Sequence, residues 1–247
     1  MQIASRSGGT VPDVASLLPR LAADGGRPRL TWYGDDGERV ELSGAVLANW
    51  ASKTVNLLVE EFDSAPGTRL VLDLPAHWRT AVWALAAWRT GATVELPGAG
   101  TDPDVVVTAD PDRWAGAGAD LVVVSLPALA RRYDGDLPPG AIDAASAVMT
   151  YGDAIGWVPQ VEPDRDALVS TAGAVTHQDL VPEPGDGARV VVDGRGAVVD
   201  VLRDLLGIWA GGGSAVLISA ATAAELEQDE PRRTRLLGSE QAQWPRG

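Results

Sequence analysis

The chain has 247 residues, 45% of them apolar, so it can bury a sizeable core and is not composed like a disordered polymer. Its 20 basic residues against 34 acidic ones give a formal net charge of −14, which excludes a phosphate-neutralising surface; neither nucleic acid nor an anionic membrane is expected as a partner. With no cysteine, disulfides, thiolate metal sites and cysteine nucleophiles are excluded as well.

The N-terminal MQIASRSGGTVPDV lacks the apolar centre of a signal peptide, and apolar runs such as 81–88 are too short to cross a bilayer. A soluble, cytoplasmic protein with a true start at Met1 is expected. The spacing of Val14, Leu17, Leu18 and Leu21 predicts a first helix over 11–23. RLTWYGDDGERVEL then reads as a β-hairpin turning at Gly34-Asp35-Asp36-Gly37. Ser43 can cap a helix over 44–61, whose stripe carries Leu47, Trp50, Leu57, Leu58 and Phe62.

Strand 69–74, helix 76–90 with Gly91 as its C-terminal cap, and strand 92–96 form a βαβ unit, so the two strands should be parallel. Further apolar strands are predicted at 104–108, 120–125, 166–170, 189–193 and 214–219. A helix over 197–210 joins the last two and stops at Gly211-Gly212-Gly213. Those glycines follow a helix, so they are a cap and not a phosphate loop. The expected class is α/β: one domain, 1–224, around a central, mostly parallel sheet flanked by helices, with an N-terminal β-hairpin. From Glu225 to the end the chain is charged and polar, a helix or a frayed tail over 225–247.

Residues 167–180, ALVSTAGAVTHQDL, carry the one hint of chemistry. An apolar strand, a small-residue loop and a helix start are the ingredients of a phosphate cradle. A cradle works by wrapping several backbone N–H groups around the anion, with a cation to complete it. Here the connector is short, and Pro182 and Pro184 stop any helix near Leu180. Lys53, the sole lysine, lies far upstream in an early helix.

The segment GTRLVLDLPAHWRTAVWALAAWRTGATVEL (67–96) resembles the N-terminal subdomain of the adenylate-forming enzymes: the acyl-CoA synthetases, luciferases and peptide-synthetase adenylation domains. Their pattern there is a strand ending in Leu-Pro-Asn, a helix, then Lys-Ala-Gly-Ala and a second strand. The upstream hairpin and helix, and LLGIWAGGGSAVLIS (205–219), are similar to further family segments, so the resemblance spans about 25–220. It identifies the chain as a short, divergent, actinobacterial-type relative. The family's signature loop, T-S-G-[ST]-T-G-x-P-K-G followed by T-H-x-N-L, implies that Ser170, Thr171, Gly173, Thr176 and His177 are the remains of a nucleotide loop. The Pro-Lys-Gly segment is missing. The family's lid with its catalytic lysine, its hinge and its ribose-binding aspartate belong beyond Gly247. The resemblance therefore implies a non-catalytic binding or interaction protein, with no catalytic residue and no cofactor. The alternative is a weak or partner-dependent ligase that binds AMP or an acyl group. A structural subunit that pairs through a face left uncovered is a third reading.

Other residues point to structure. His77 follows Leu74-Pro75-Ala76 and reads as a polar residue near a helix start, although a general base is its sharper reading. His177 reads as packed or hydrogen-bonded, and no triad partner can be named, since Ser170 and Asp179 are neighbours in sequence only. Trp78, Trp83 and Trp88 at helical spacing, with Trp50, read as core. Two histidines and no calcium loop leave no metal ligand set. Strand 214–219, last in order, is expected at an open edge, and a homodimer is the favoured cover for it over the charged tail.

Overall fold

The computed structural model describes residues 13–23, 25–100 and 102–244. The N-terminal 1–12, with the first two residues of the expected first helix, and 245–247 lie outside them.

Helix α1 (Val14–Ala23) buries the predicted stripe, Val14, Leu17, Leu18 and Leu21. Strands β1 (Pro28–Tyr33) and β2 (Arg39–Ser43) form the antiparallel hairpin around a single 3-10 turn, Asp35–Gly37. The Ser43 side chain accepts the Val46 N–H and starts α2 (Gly44–Phe62). The βαβ unit follows as β3 (Arg69–Asp73), α3 (Trp78–Thr90) and β4 (Thr93–Glu95), with β3 and β4 parallel. Gly91 caps α3 at φ 83°, a left-handed conformation that a side chain would strain. Then come β5 (Val105–Thr108), β6 (Asp120–Val123), β7 (Ile142–Asp143) and α4 (Ala144–Ala147). The chain continues through β8 (Asp166–Ser170), β9 (Gly173–Thr176), β10 (Arg189–Asp193), α5 (Val198–Ala210) and β11 (Ser214–Ile218). It ends in α6 (Ala220–Gln228) and α7 (Glu230–Glu240).

The α/β class and the mostly parallel pairing hold, and the strands near 69–74, 92–96, 104–108 and 120–125 share one central sheet; a second, smaller sheet accompanies it. The strands sort into a seven-stranded sheet, β7-β6-β5-β3-β4-β8-β9, and a four-stranded sheet, β10-β11-β1-β2. Only β9 and β2 run antiparallel to their neighbours. Helix α3 packs against β3 and β4 of the large sheet and against β1 of the small one, and it is buried nearly all round. That explains its unusual sequence, apolar on every face and rich in alanine and tryptophan. Trp78, Trp83 and Trp88 are core residues, and Trp50 meets Trp78 edge-on with ring centroids 5.5 Å apart.

Strand β11 is not an edge. It lies between β10 and β1, pairing Leu30 with Ala215 on one side and Val190 with Ala215 on the other. The reason given for self-association at that strand therefore falls away. A division at 224/225 would cut α6, which packs with α7 on the small sheet. Ala223 and Leu226 meet Val191, Val216 and Ile218, with Leu236, Leu237 and Trp244 beside them. The β10 edge is met by the chain itself, since the Val191 N–H donates to Gln243 O at 2.9 Å. Glu240 is buried and takes bonds from Tyr33 Oη, from Arg39 at 2.9 Å and from Arg189. Among the described residues, no helix is long and apolar enough to cross a membrane.

Candidate functional site

In parallel sheets, ligands favour the crevice beyond the carboxyl ends of the strands, where helix N-termini also point. Here that crevice is shared by both sheets. The chain leaving β1, β3, β6, β10 and β11 lines one cleft of about 750 Å³, in the size range of small-molecule sites. Trp32, Ala76, His77, Leu126 and Pro127 give it an apolar body. Gly194 closes its floor. A Cβ there would lie 2.3 Å from Ile218 O, so only glycine lets the ends of β10 and β11 meet so closely.

His77 is a buried polar group of the cleft, 4% exposed. It is the N-cap of α3, its Nδ1 accepting the Arg79 N–H at 3.1 Å. The ring sits edge-on to Trp32 with centroids 4.5 Å apart. Burial, assisted by the neighbouring Arg79 charge, pushes its pKa down to about 3, so the imidazole is neutral. With Nδ1 accepting, the ring proton resides on Nε2. Nε2 has no hydrogen-bond partner among the described residues. A donor is therefore left at the cleft without an acceptor.

Two carboxylates complete the lining. Glu38 is occupied: Oε2 accepts Trp32 Nε1–H at 2.8 Å and Oε1 accepts the Ala128 N–H at 2.7 Å. Asp35 Oδ1 accepts Ser219 Oγ–H at 2.6 Å, while Ser219 Oγ caps α6 by accepting the Thr222 N–H. Behind the cleft, Arg79 donates to Pro127 O at 3.3 Å and lies 4.3 Å from the Trp78 ring centre. Burial pushes its pKa down to about 10, with the Glu38 charge opposing.

The residues singled out by sequence lie elsewhere. The expected strand, loop and helix is a hairpin: β8 and β9 pair antiparallel with Ser170 opposite Gly173, and only Thr171 and Ala172 turn between them. The helix start is one 3-10 turn, His177–Asp179. A hairpin of this length uses its backbone groups for pairing and has nothing left to wrap around an anion. Thr171 and Gly173 are exposed, and Ser170 Oγ accepts the Ala172 N–H at 3.2 Å. Thr176 Oγ1 donates to Asp179 at 2.9 Å. His177 is buried with Nε2 3.2 Å from Gly91 O, as its structural reading expects; burial lowers its pKa, outweighing backbone bonds that raise it. None of the five lines the cleft.

What the sequence reading missed was His77 as a cleft residue. The signal existed: His77 stands just past the carboxyl end of the first strand of the cleanest βαβ unit. Lys53, the lone lysine, donates to Tyr151 O at 2.6 Å and pairs with Asp153 at 2.7 Å. Among the described residues no group of three or more His, Asp or Glu side chains is placed to hold a metal ion.

The fold is that of the N-terminal part of the adenylate-forming enzymes. An acyl-CoA synthetase from Brucella canis superposes with a TM-score of 0.67 at 18% identity, covering 90% of this chain and 47% of that one. Coronafacic acid ligase from Pectobacterium brasiliense gives 0.67 at 10% identity, over 87% and 47% of the two chains. Acetoacetyl-CoA synthetase from Streptomyces lividans gives 0.64 at 17%, over 84% and 38%. The chain thus spans about half the length, or less, of these solved structures. No family model matches it. A TIGR03089 family protein of Mycobacterium tuberculosis (strain ATCC 25618 / H37Rv) is 36% identical over 233 residues, 87% of this chain and 92% of that protein. The chain belongs to the TIGR03089 family.

Proposed function

We propose that this chain is a non-catalytic, cytoplasmic binding protein on the adenylate-forming fold, with the cleft at the strand ends as its ligand site. The observation that carries the first half is the two-residue turn between β8 and β9. Adenylation needs an acyl group and an α-phosphate positioned together, with the developing charge neutralised. A turn of Thr171 and Ala172, with the Ala172 N–H already taken by Ser170, supplies no cradle, and the one lysine is held by Asp153. The second half rests on the unpartnered Nε2 of His77 in a cleft of ligand size. The test is ATP–pyrophosphate exchange over a panel of fatty and aryl acids. No exchange above a heat-killed control is expected. Exchange that disappears in a His177→Ala variant would establish a ligase instead. Millimolar ATP should likewise leave the melting temperature without a clear shift, whereas a ligand at a hundredfold excess over Kd adds about 2.7 kcal/mol.

A further inference from the structure

The charges of the cleft say more than that it binds. Two helix N-termini reach it, and such ends ordinarily favour anions. Each has one N–H capped by a side chain, and at α6 the positive end also faces a carboxylate, although the Ala220 and Ala221 N–H groups carry no bond among the described residues. At α6 the answering charge is Asp35, carried by the β1–β2 turn and bonded to the capping Ser219. At α3 the cap is neutral His77, which takes the Arg79 N–H. Of the lining residues, Asp35 and Glu38 are charged and both are acidic; no lysine or arginine is among them. Arg79, behind the wall, faces Pro127 and Ala128 carbonyls and the Trp78 ring. Glu38 has both oxygens committed to protein donors, whereas Asp35 Oδ2 carries no bond among the described residues. The free side-chain groups are thus one donor on a buried ring, His77 Nε2–H, and one carboxylate oxygen, on an apolar floor.

We infer that the cleft selects an uncharged or cationic small molecule with an apolar body, offering an acceptor to His77 Nε2–H and a donor to Asp35, and that it turns away carboxylates and phosphates. The inference rests on the cleft being a ligand site and names the class of ligand it takes. An anion entering would meet two carboxylates, Asp35 exposed and Glu38 half-buried, and like charges repel. An ammonium or hydroxyl group would meet the same oxygens favourably.

Three probes of one shape separate the classes: phenethylamine, phenethyl alcohol and hydrocinnamate, titrated into isotope-labelled protein and followed at the amides of Gly34, Gly194 and Ala220. Phenethylamine should bind most tightly and hydrocinnamate most weakly, by about fivefold or more between the extremes. Asp35→Asn keeps an acceptor for Ser219 and should bring amine and acid to within about twofold of each other. His77→Asn keeps a side-chain oxygen for the α3 cap, lacks the reach of Nε2, and should weaken the alcohol and the amine alike. Hydrocinnamate shifting these amides at the lower concentration overturns the ligand class and leaves the cleft as a binding site. An Asp35→Asn variant that preserves the original ranking overturns it too. If none of the three moves these amides at about 10 mM, the cleft is not a small-molecule site, and the binding reading falls with it. The exchange assay is blind to all of these outcomes, so failure of the non-catalytic reading remains separable.

Discussion

The two histidines of this chain stand at opposite ends of one helix. His77 caps the start of α3, and His177, in the turn after β9, reaches the Gly91 carbonyl at its end. Both are buried, and burial lowers the pKa of both rings. At the far end of α3, His177 ties the β8–β9 hairpin to the βαβ unit through its Nε2. At the near end, His77 gives its Nδ1 to the helix, and its Nε2 has no partner among the described residues. The two rings differ because the Nε2 of one meets a carbonyl of its own protein, while the Nε2 of the other has no partner among the described residues. On the proposed reading, the ligand site lies where the two sheets meet and not at the β8–β9 hairpin.

That contrast can be broken in four ways, from the largest effect to the smallest. The first is pH. The unfolded chain binds protons on these rings near pH 6.5, and the folded chain refuses them. Their contribution to stability is therefore complete above about pH 6.5 and is lost as the pH falls toward the folded values, about 3 for His77. For His77 the slope is about 1.4 kcal/mol per pH unit, so it should cost about 2 kcal/mol between roughly pH 6 and pH 4.5. Urea midpoints across that range should show it, and His77→Asn should flatten the slope by one proton. An unchanged slope would mean His77 is not held neutral. For Glu240, burial raises the pKa, but bonds from Tyr33, Arg189 and Arg39 prevail and hold it low. Its share is therefore present above about pH 4.5 and is lost only as the pH falls further.

The second is His177→Ala at neutral pH. It opens a cavity and strips the Gly91 carbonyl, at a cost of about 2 kcal/mol, or roughly 4–8 °C in Tm for a chain of this size. Cleft titrations with phenethylamine should not change. Third, His77→Asn keeps the helix cap and should cost less, about 1 kcal/mol or under, while weakening cleft binding. A pair of variants with the reverse pattern would exchange the roles of the two rings. Fourth, inserting Gly-Ser-Gly between Thr171 and Ala172 should shift stability by only about 0.5 kcal/mol, because lengthening an exposed turn costs little chain entropy. A large loss in chemical denaturation would show that the hairpin tip carries more of the fold than its exposure suggests.

Much of this was legible beforehand. The helices near 14–23, 44–62, 78–90 and 198–210 follow from periodicity and from local stops such as Ser43 and Gly91. The parallel pair β3 and β4 follows from its helix, since a crossover of that length permits little else. These features are set by neighbours in the chain, so the chain alone carries them. Sheet membership is different. The segments that became β5 and β11 are both short, apolar and buried on both faces, and nothing local says that one pairs with β3 and the other with β1. The pairing of β1 with β11 joins residues at opposite ends of the sequence and depends on the core that α3 fills. The segment 171–175 misled for the same reason: small residues suit a phosphate loop and a tight hairpin equally, and only pairing Ser170 with Gly173 decides between them. The sequence by itself determined the helices, the βαβ unit, the acidic surface and the poverty of phosphate-binding groups, because these are properties of composition and local spacing. The tertiary structure alone decided that two sheets bring five strand ends together and that Asp35 answers a helix from the far end of the chain. It alone left one nitrogen of His77 without a partner, because such a vacancy exists only once distant segments have packed around it.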